Sequence, residues 1–155
     1  MTALLIILGI IVVLAVFIIG IYNRLVALRQ TTNQAWSDIE VQLKQRQDLV
    51  PQLVNTVKGY AKHEKGTFKE VVEARSAAMG ATTVKGQAQA EGMLSAALGK
   101  LFALAEAYPE LKANTNFLQL QDELSDIENK IAAARRFYNN SVQDITRAAS
   151  NFRLF

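Results

Sequence analysis

Apolar residues fill the first stretch of the chain without a break and then recur at steps of three and four to the end. From Ala3 to Tyr22 the sequence reads ALLIILGIIVVLAVFIIGIY, with no charge and no proline. A helix of that length rises roughly 30 Å, the hydrocarbon thickness of a bilayer. Leu4, Leu5, Ile6, Ile7, Val12, Val13, Leu14, Phe17, Ile18 and Ile19 form the body of the expected span. A cleaved signal peptide would need basic residues ahead of a shorter apolar run and a small-residue cleavage site behind it. Here only Met1 and Thr2 precede the run, and it passes directly into Asn23-Arg24-Leu25. The pattern therefore predicts an uncleaved transmembrane anchor over residues 1–22 and a helical domain over residues 23–155.

Beyond Tyr22 the period is helical. Trp36, Ile39, Leu43, Arg46, Val50, Leu53, Val57 and Tyr60 alternate steps of three and four, a heptad seam. Arg46 is the charged position in that series and is expected to pack its stem while its head stays in water. Nothing from Ile21 to Asp48 breaks a helix, so the seam should continue from the span, with a kink at Pro51. Gly59, Gly66 and the polar run Lys62-His63-Glu64-Lys65 mark the first turn. Thr67-Phe68-Lys69-Glu70 reads as a capping box opening a second helix that Gly80 ends. A third helix, Gln87 to Tyr108, is crowded with alanine and glycine, which let neighbouring helices approach closely, and Pro109 should end it. The fourth is the clearest: Phe117, Leu120, Leu124, Ile127, Ile131, Ala134, Tyr138, Ser141, Ile145, Ala148 and Phe152 keep the alternation, with Asn114 or Asn116 as the cap.

No strand pattern competes. The fold class is all-α: an N-terminal transmembrane helix continuing into an antiparallel up-down-up-down four-helix bundle. In that order the last helix returns toward the bilayer. Arg147, Phe152 and Arg153 would then join Arg24 and Arg29 at the membrane surface, or else form an ordinary helix end. Arg24 and Arg29 follow the span and no charged side chain precedes it. The positive-inside tendency places the bundle in the cytoplasm and the N-terminus outside.

Composition adds mostly exclusions. With no cysteine, a disulfide framework, a thiolate metal site and a thiol nucleophile are ruled out. The 17 basic and 14 acidic residues are interspersed, without the basic face of a nucleic-acid binder. His63 is the single histidine; His63-Glu64 begins like H-E-x-x-H, but Thr67 stands where the second histidine belongs, so a solvated turn histidine is the better reading. Gly92 and Gly99-Lys100-Leu101 have the wrong spacing for a phosphate loop and no strand before them. Asp38, Glu40, Glu123, Asp126 and Glu128 lie off the seams, as solvated or ion-paired positions do. Asn139-Asn140-Ser141 matches a glycosylation acceptor only in passing. No catalytic, metal or cofactor-binding residue is expected. Two clusters stand out from this background: Trp36, and the run holding Arg135, Arg136, Phe137, Tyr138 and Asn139. Arg135 and Tyr138 share one helix face, as do Arg136 and Asn139. They are candidate contacts of a clasp between helices or of an oligomer.

These segments carry a resemblance. Tyr22–Arg29 (YNRLVALR), Ala35–Leu43 (AWSDIEVQL), Arg46–Val54 (RQDLVPQLV), Thr56–Glu64 (TVKGYAKHE) and Glu128–Tyr138 (ENKIAAARRFY) closely resemble the LemA family of bacterial membrane proteins. The likeness runs over nearly the whole chain, though the third helix matches only in its small residues. Near the end, members usually carry a tyrosine-asparagine pair and a Phe-Pro step where this chain has Asp144-Ile145-Thr146 and stops at Phe155, which predicts a trimmed tail. The resemblance implies a single-pass protein of the bacterial cytoplasmic (inner) membrane with a helical bundle. It brings no established enzymatic activity, substrate or cofactor. It implies instead a membrane-associated accessory or organising protein, linked in some members to envelope stress or intracellular membrane formation.

The expected function is a non-enzymatic scaffold, partnered by the lipid bilayer, that self-associates as a homo-oligomer and organises or remodels the membrane. The alternative is a monomeric accessory module for another membrane protein, such as a membrane protease. An enzyme is the third reading, disfavoured because the groups that acid–base or metal chemistry needs are missing.

Overall fold

The computed structural model describes residues 2–152, and the side chains as far as residue 150. Five helices account for nearly all of them: α1 (Thr2–Tyr60), α2 (Lys65–Gly80), α3 (Val84–Glu106), α4 (Pro109–Lys112) and α5 (Thr115–Phe152). Among the described residues there is no strand. The chain divides into two compact units. A terminal unit takes α1 up to Ile39 and α5 from Ala133 onward, and a central unit holds Glu40–Ala132.

The central unit is an antiparallel helical bundle whose core joins the predicted seams of the first and last helices to apolar faces of α2, α3 and α4 that the pattern had not marked. Leu43, Val50, Leu53 and Val57 of α1 are buried, as are Phe68, Val71, Ala74 and Ala78 of α2. Leu94, Leu98 and Leu101 of α3, Leu111 of α4, and Phe117, Leu120, Leu124, Ile127 and Ile131 of α5 complete it. Each fully buried leucine or valine contributes roughly 1.5–3 kcal/mol of transfer free energy. Polar contacts show how α1 and α5 pair. Arg46 meets Glu128, and Tyr60, fourteen positions further along α1, meets Asn114, fourteen positions back (60 − 46 and 128 − 114). Equal steps in opposite directions over two heptads are what an antiparallel heptad pair requires.

Several local expectations are corrected. Thr67 does not open α2: the helix begins at Lys65, and its N-cap, Glu64, makes no side-chain capping bond. α3 starts earlier than expected, at Val84, because Thr83 accepts from the Gly86 backbone N–H at 3.1 Å. It also ends earlier, at Glu106, and Pro109 opens the one-turn α4, where its missing N–H costs nothing. Asn114 is the cap of α5, accepting from the Phe117 N–H at 2.9 Å. Asn116 instead donates to the Thr56 hydroxyl.

Pro51 lies inside α1, which runs through it without a break. Proline has no N–H, so the carbonyl of Gln47, four residues earlier, loses its helical donor. Arg75 of α2 supplies the replacement: its Nε donates to that carbonyl at 2.6 Å. The interruption thus becomes a tie between α1 and α2.

In the terminal unit, Trp36 and Tyr138 pack ring against ring, with centroids 5.4 Å apart and planes inclined at 58°. Ala35 and Ile39 flank Trp36 and are buried, as are Ser141, three residues beyond Tyr138, and Ala148 further along α5. From Thr2 to Gly20 every residue of α1 is exposed.

The tie at Pro51 is testable by a double-mutant cycle. Arg75→Ala leaves the Gln47 carbonyl without a donor and should cost about 1–3 kcal/mol in chemical denaturation. In a Pro51→Ala background, where the new alanine supplies its own N–H, the same substitution should cost about 1 kcal/mol less. Equal costs in both backgrounds would show that Arg75 does not substitute for the missing donor.

Candidate functional site

Four of the described polar or charged residues are buried: Arg46, Gln47, Glu91 and Ser141. Three of them form one cluster within the central unit. Arg46 occupies a seam position on α1, so helical periodicity drives its side chain into the core. Its head is not in water as the pattern suggested: the side chain is 4% exposed and that of Glu91 on α3 is 1% exposed. Burying either charge alone would cost several kcal/mol, so each must find the other. Arg46 Nη1 donates to Glu91 Oε2 at 3.1 Å. Its Nη2 donates to the Ser95 hydroxyl at 2.7 Å and to Glu128 Oε1 at 3.1 Å. Glu128, on α5, is 52% exposed, so this second ion pair is screened and contributes less.

Glu91 uses both oxygens. Oε1 accepts from Gln47 Nε2 at 2.7 Å, while Oε2 takes the guanidinium. Ser95 donates to the Glu91 backbone carbonyl at 3.0 Å and so keeps its oxygen turned toward Arg46. Gln47 is the branching point, because its amide holds α3 through Glu91 while its carbonyl holds α2 through Arg75. Two buried polar atoms have no partner among the described residues, Arg46 Nε and Gln42 Oε1. They belong to residues one helical turn apart on α1.

This arrangement immobilises charge and leaves little scope for chemistry. The arginine is always protonated and can neither give nor take a proton, and the serine is committed as a structural hydrogen bond. Among the described residues no group of three or more His, Asp or Glu side chains could hold a metal ion. His63 sits in the turn between α1 and α2. Glu91 and Ser95 lie in a helix legible only for its small residues, and nothing in their spacing marked them. The one available signal was a charge on the α1 seam, which demands a buried counter-charge somewhere.

Trp36 and Tyr138 are brought together. Arg135, Arg136, Phe137 and Asn139 are exposed on α5. Leu4, Leu5, Ile6, Ile7, Val12, Val13, Leu14, Phe17, Ile18 and Ile19 are between 53% and 71% exposed. Arg24 and Arg29 are exposed, and Arg147 lies 4.0 Å from Asp144 on the same helix. The Phe152 side chain and Arg153 lie outside the described residues.

The LemA family model matches residues 35–154, which includes Trp36, Arg46, Glu91, Ser95, Glu128 and Tyr138. The chain belongs to the LemA family. Among its relatives, Protein LemA of Metamycoplasma hominis is 27% identical over 122 residues, covering 78% of this chain and 56% of its own length. Magnetosome protein MamQ of Magnetospirillum gryphiswaldense is 27% identical over 146 residues, covering 77% of this chain and 54% of its own. This LemA-family chain therefore matches about half the length of each relative. Neither relative's name is that of an enzyme.

The buried pair makes a two-part prediction for the LemA-family chain. Glu91→Ala should destabilise the central unit by about 3–5 kcal/mol, since Arg46 is left charged and unanswered. Arg46→Met combined with Glu91→Leu should recover most of that loss. Denaturant unfolding followed by circular dichroism reads both, and a double variant no better than Glu91→Ala would refute the pairing as the source of the cost.

Proposed function

We propose that the chain is a non-enzymatic, membrane-anchored scaffold that self-associates through its helical bundle and organises or remodels the bilayer holding it. The observation that carries this reading is α1. Its first nineteen described residues, Thr2 to Gly20, are apolar or small and exposed, and it is the one helix among those described that is long and apolar enough to cross a membrane. Exposed apolar surface of that extent is unfavourable in water and favourable in hydrocarbon. With all its backbone hydrogen bonds internal, a helix is also the form that hydrocarbon accepts. Span residues are taken as 1–22, with Arg24 and Arg29 at the cytoplasmic face.

Self-association is supported by α3. Ala88, Gly92, Ala96, Gly99 and Ala103 fall at steps of three and four on one face, and all are exposed. A Cβ built on Gly92 or Gly99 would meet no other part of the described chain within 4 Å beyond the adjoining residues and backbone of its own helix. A second helix can approach such a face closely. A relative named as a magnetosome protein fits a role in organised membrane. The one buried cluster, committed to structure, supports the non-enzymatic part of the reading.

Two measurements test it. Val12→Arg with Val16→Arg places two charges in the middle of the span, at roughly 5–7 kcal/mol on insertion scales. The chain should then leave the carbonate-resistant membrane fraction, and retention there would exclude the span. The mass of the full chain in lipid nanodiscs should be that of a discrete oligomer, whereas a monomer in nanodiscs and in mild detergent alike would remove the scaffold.

A further inference from the structure

The central unit carries two open grooves of opposite charge. The first, about 660 Å³, lies where the end of α1 meets the start of α2, and is lined by Lys58, Lys62, Lys65 and Lys69 around Phe68 and Val72. Its one carboxylate, Glu73, is held by Lys69 at 3.7 Å. Glu64 stands between Lys62 and Lys65 in sequence but does not line the groove. Glu70 is taken by Lys100 at 2.7 Å. Lys58 lies 5.5 Å above the Phe68 ring. Lys58, Lys62 and Lys65 thus have no ion-pair partner among the described residues.

The second groove, about 390 Å³, runs between α1 and α5 and carries Asp48, Glu123 and Asp126 against a single lysine, Lys130. None of the three carboxylates forms an ion pair among the described residues, and the exposed Asp122 adds a fourth acid beside them in sequence. Like charges gathered this way repel unless something of opposite sign is brought to them.

We propose that the basic groove receives the acidic groove of a second copy of this chain. Uncancelled charge in the first is positive and in the second negative, and apolar side chains lie under both: Phe68 and Val72 in one, Leu49 and Ile127 in the other. The two cannot satisfy each other within one molecule. Lys58 and Asp48 both belong to α1 and are separated by ten residues (58 − 48). That is about 15 Å along the axis and roughly 80° around it, against the 4 Å of an ion pair. The complement is met only between molecules. Two copies that exchange both grooves at once close as a two-fold dimer, and copies that use one groove on each neighbour stack head-to-tail into a ring or a filament. This inference rests on the self-association reading and names the polar contact through which the copies meet.

The test uses the full chain in nanodiscs of zwitterionic lipid, with mass read against concentration. Wild-type assembly should weaken above about 0.5 M salt, where the screening length falls to roughly 4 Å. Lys62→Glu with Lys65→Glu should weaken self-association at least about tenfold, as should Glu123→Lys with Asp126→Lys. All four positions are exposed, so each variant should keep the wild-type melting curve. An equimolar mixture of the two variants, or one chain carrying all four changes, should regain assembly. Unchanged mass on either reversal, or no rescue, overturns the contact while leaving the scaffold reading in place. A wild-type monomer removes both. Anionic vesicles captured by the wild type and released by Lys62→Glu/Lys65→Glu, with the mass unaltered, would assign the groove to lipid headgroups and overturn the proposal.

Discussion

A charge cannot be left alone in an apolar core, and that constraint organises the central unit. Arg46 is carried inward by its place on the α1 seam, so Glu91 on α3 must be there to meet it. The guanidinium is planar and its donors are fixed in direction, unlike the interchangeable contacts of leucines. It is met by Glu91 and Ser95 of α3 and Glu128 of α5 together. Sliding any of these helices by a turn would leave at least one partner out of reach. Hydrophobic seams alone tolerate such slips, because one heptad position resembles the next. The ion pair supplies the register and the surrounding leucines supply most of the favourable free energy.

What could be read directly from the chain was whatever repeats. The heptad positions of α1 from Ile39 to Val57 and of α5 from Phe117 to Ile131 are all buried, because helix periodicity is a local property that each residue advertises by its polarity. The apolar span is legible for the same reason. Helix termini were less so: Thr67 looked like a cap and Thr83 is one, since a capping side chain is recognised only once the preceding backbone direction is known. Glu91 and Gln47 were invisible. A polar residue in a helix shows no sign of which way it faces unless its neighbours are apolar at the right steps. In α3 those neighbours are alanines and glycines, which carry little pattern. The clustered aromatics and arginines around Tyr138 stand out by composition, yet among the described residues it is Tyr138 that meets a ring, that of Trp36.

Charge in this chain is divided by kind of work. Arg46 and Glu91 are spent inside, where they cannot exchange partners. The lysines around Phe68 and the acids around Asp48 are spent outside, where they can. Near-neutral composition hides this separation, because the two surface groups almost cancel in the sum while remaining apart in space. A net charge of +3 therefore says little about the fields that another molecule would feel on approach.

The missing proton at Pro51 reaches further than its own turn of helix. Any other residue there would let α1 complete its hydrogen bonds by itself, and α2 would be held by apolar contact and the exposed Glu70–Lys100 ion pair. As built, α1 is complete only while Arg75 is docked, and the residue it docks on also grips Glu91. Opening α2 would expose a carbonyl the helix cannot repair and loosen the neighbour of the buried ion pair at once. Opening of α2 therefore carries about 1–3 kcal/mol beyond the loss of its own contacts, which raises the protection of its amides toward that of the helices it is tied to.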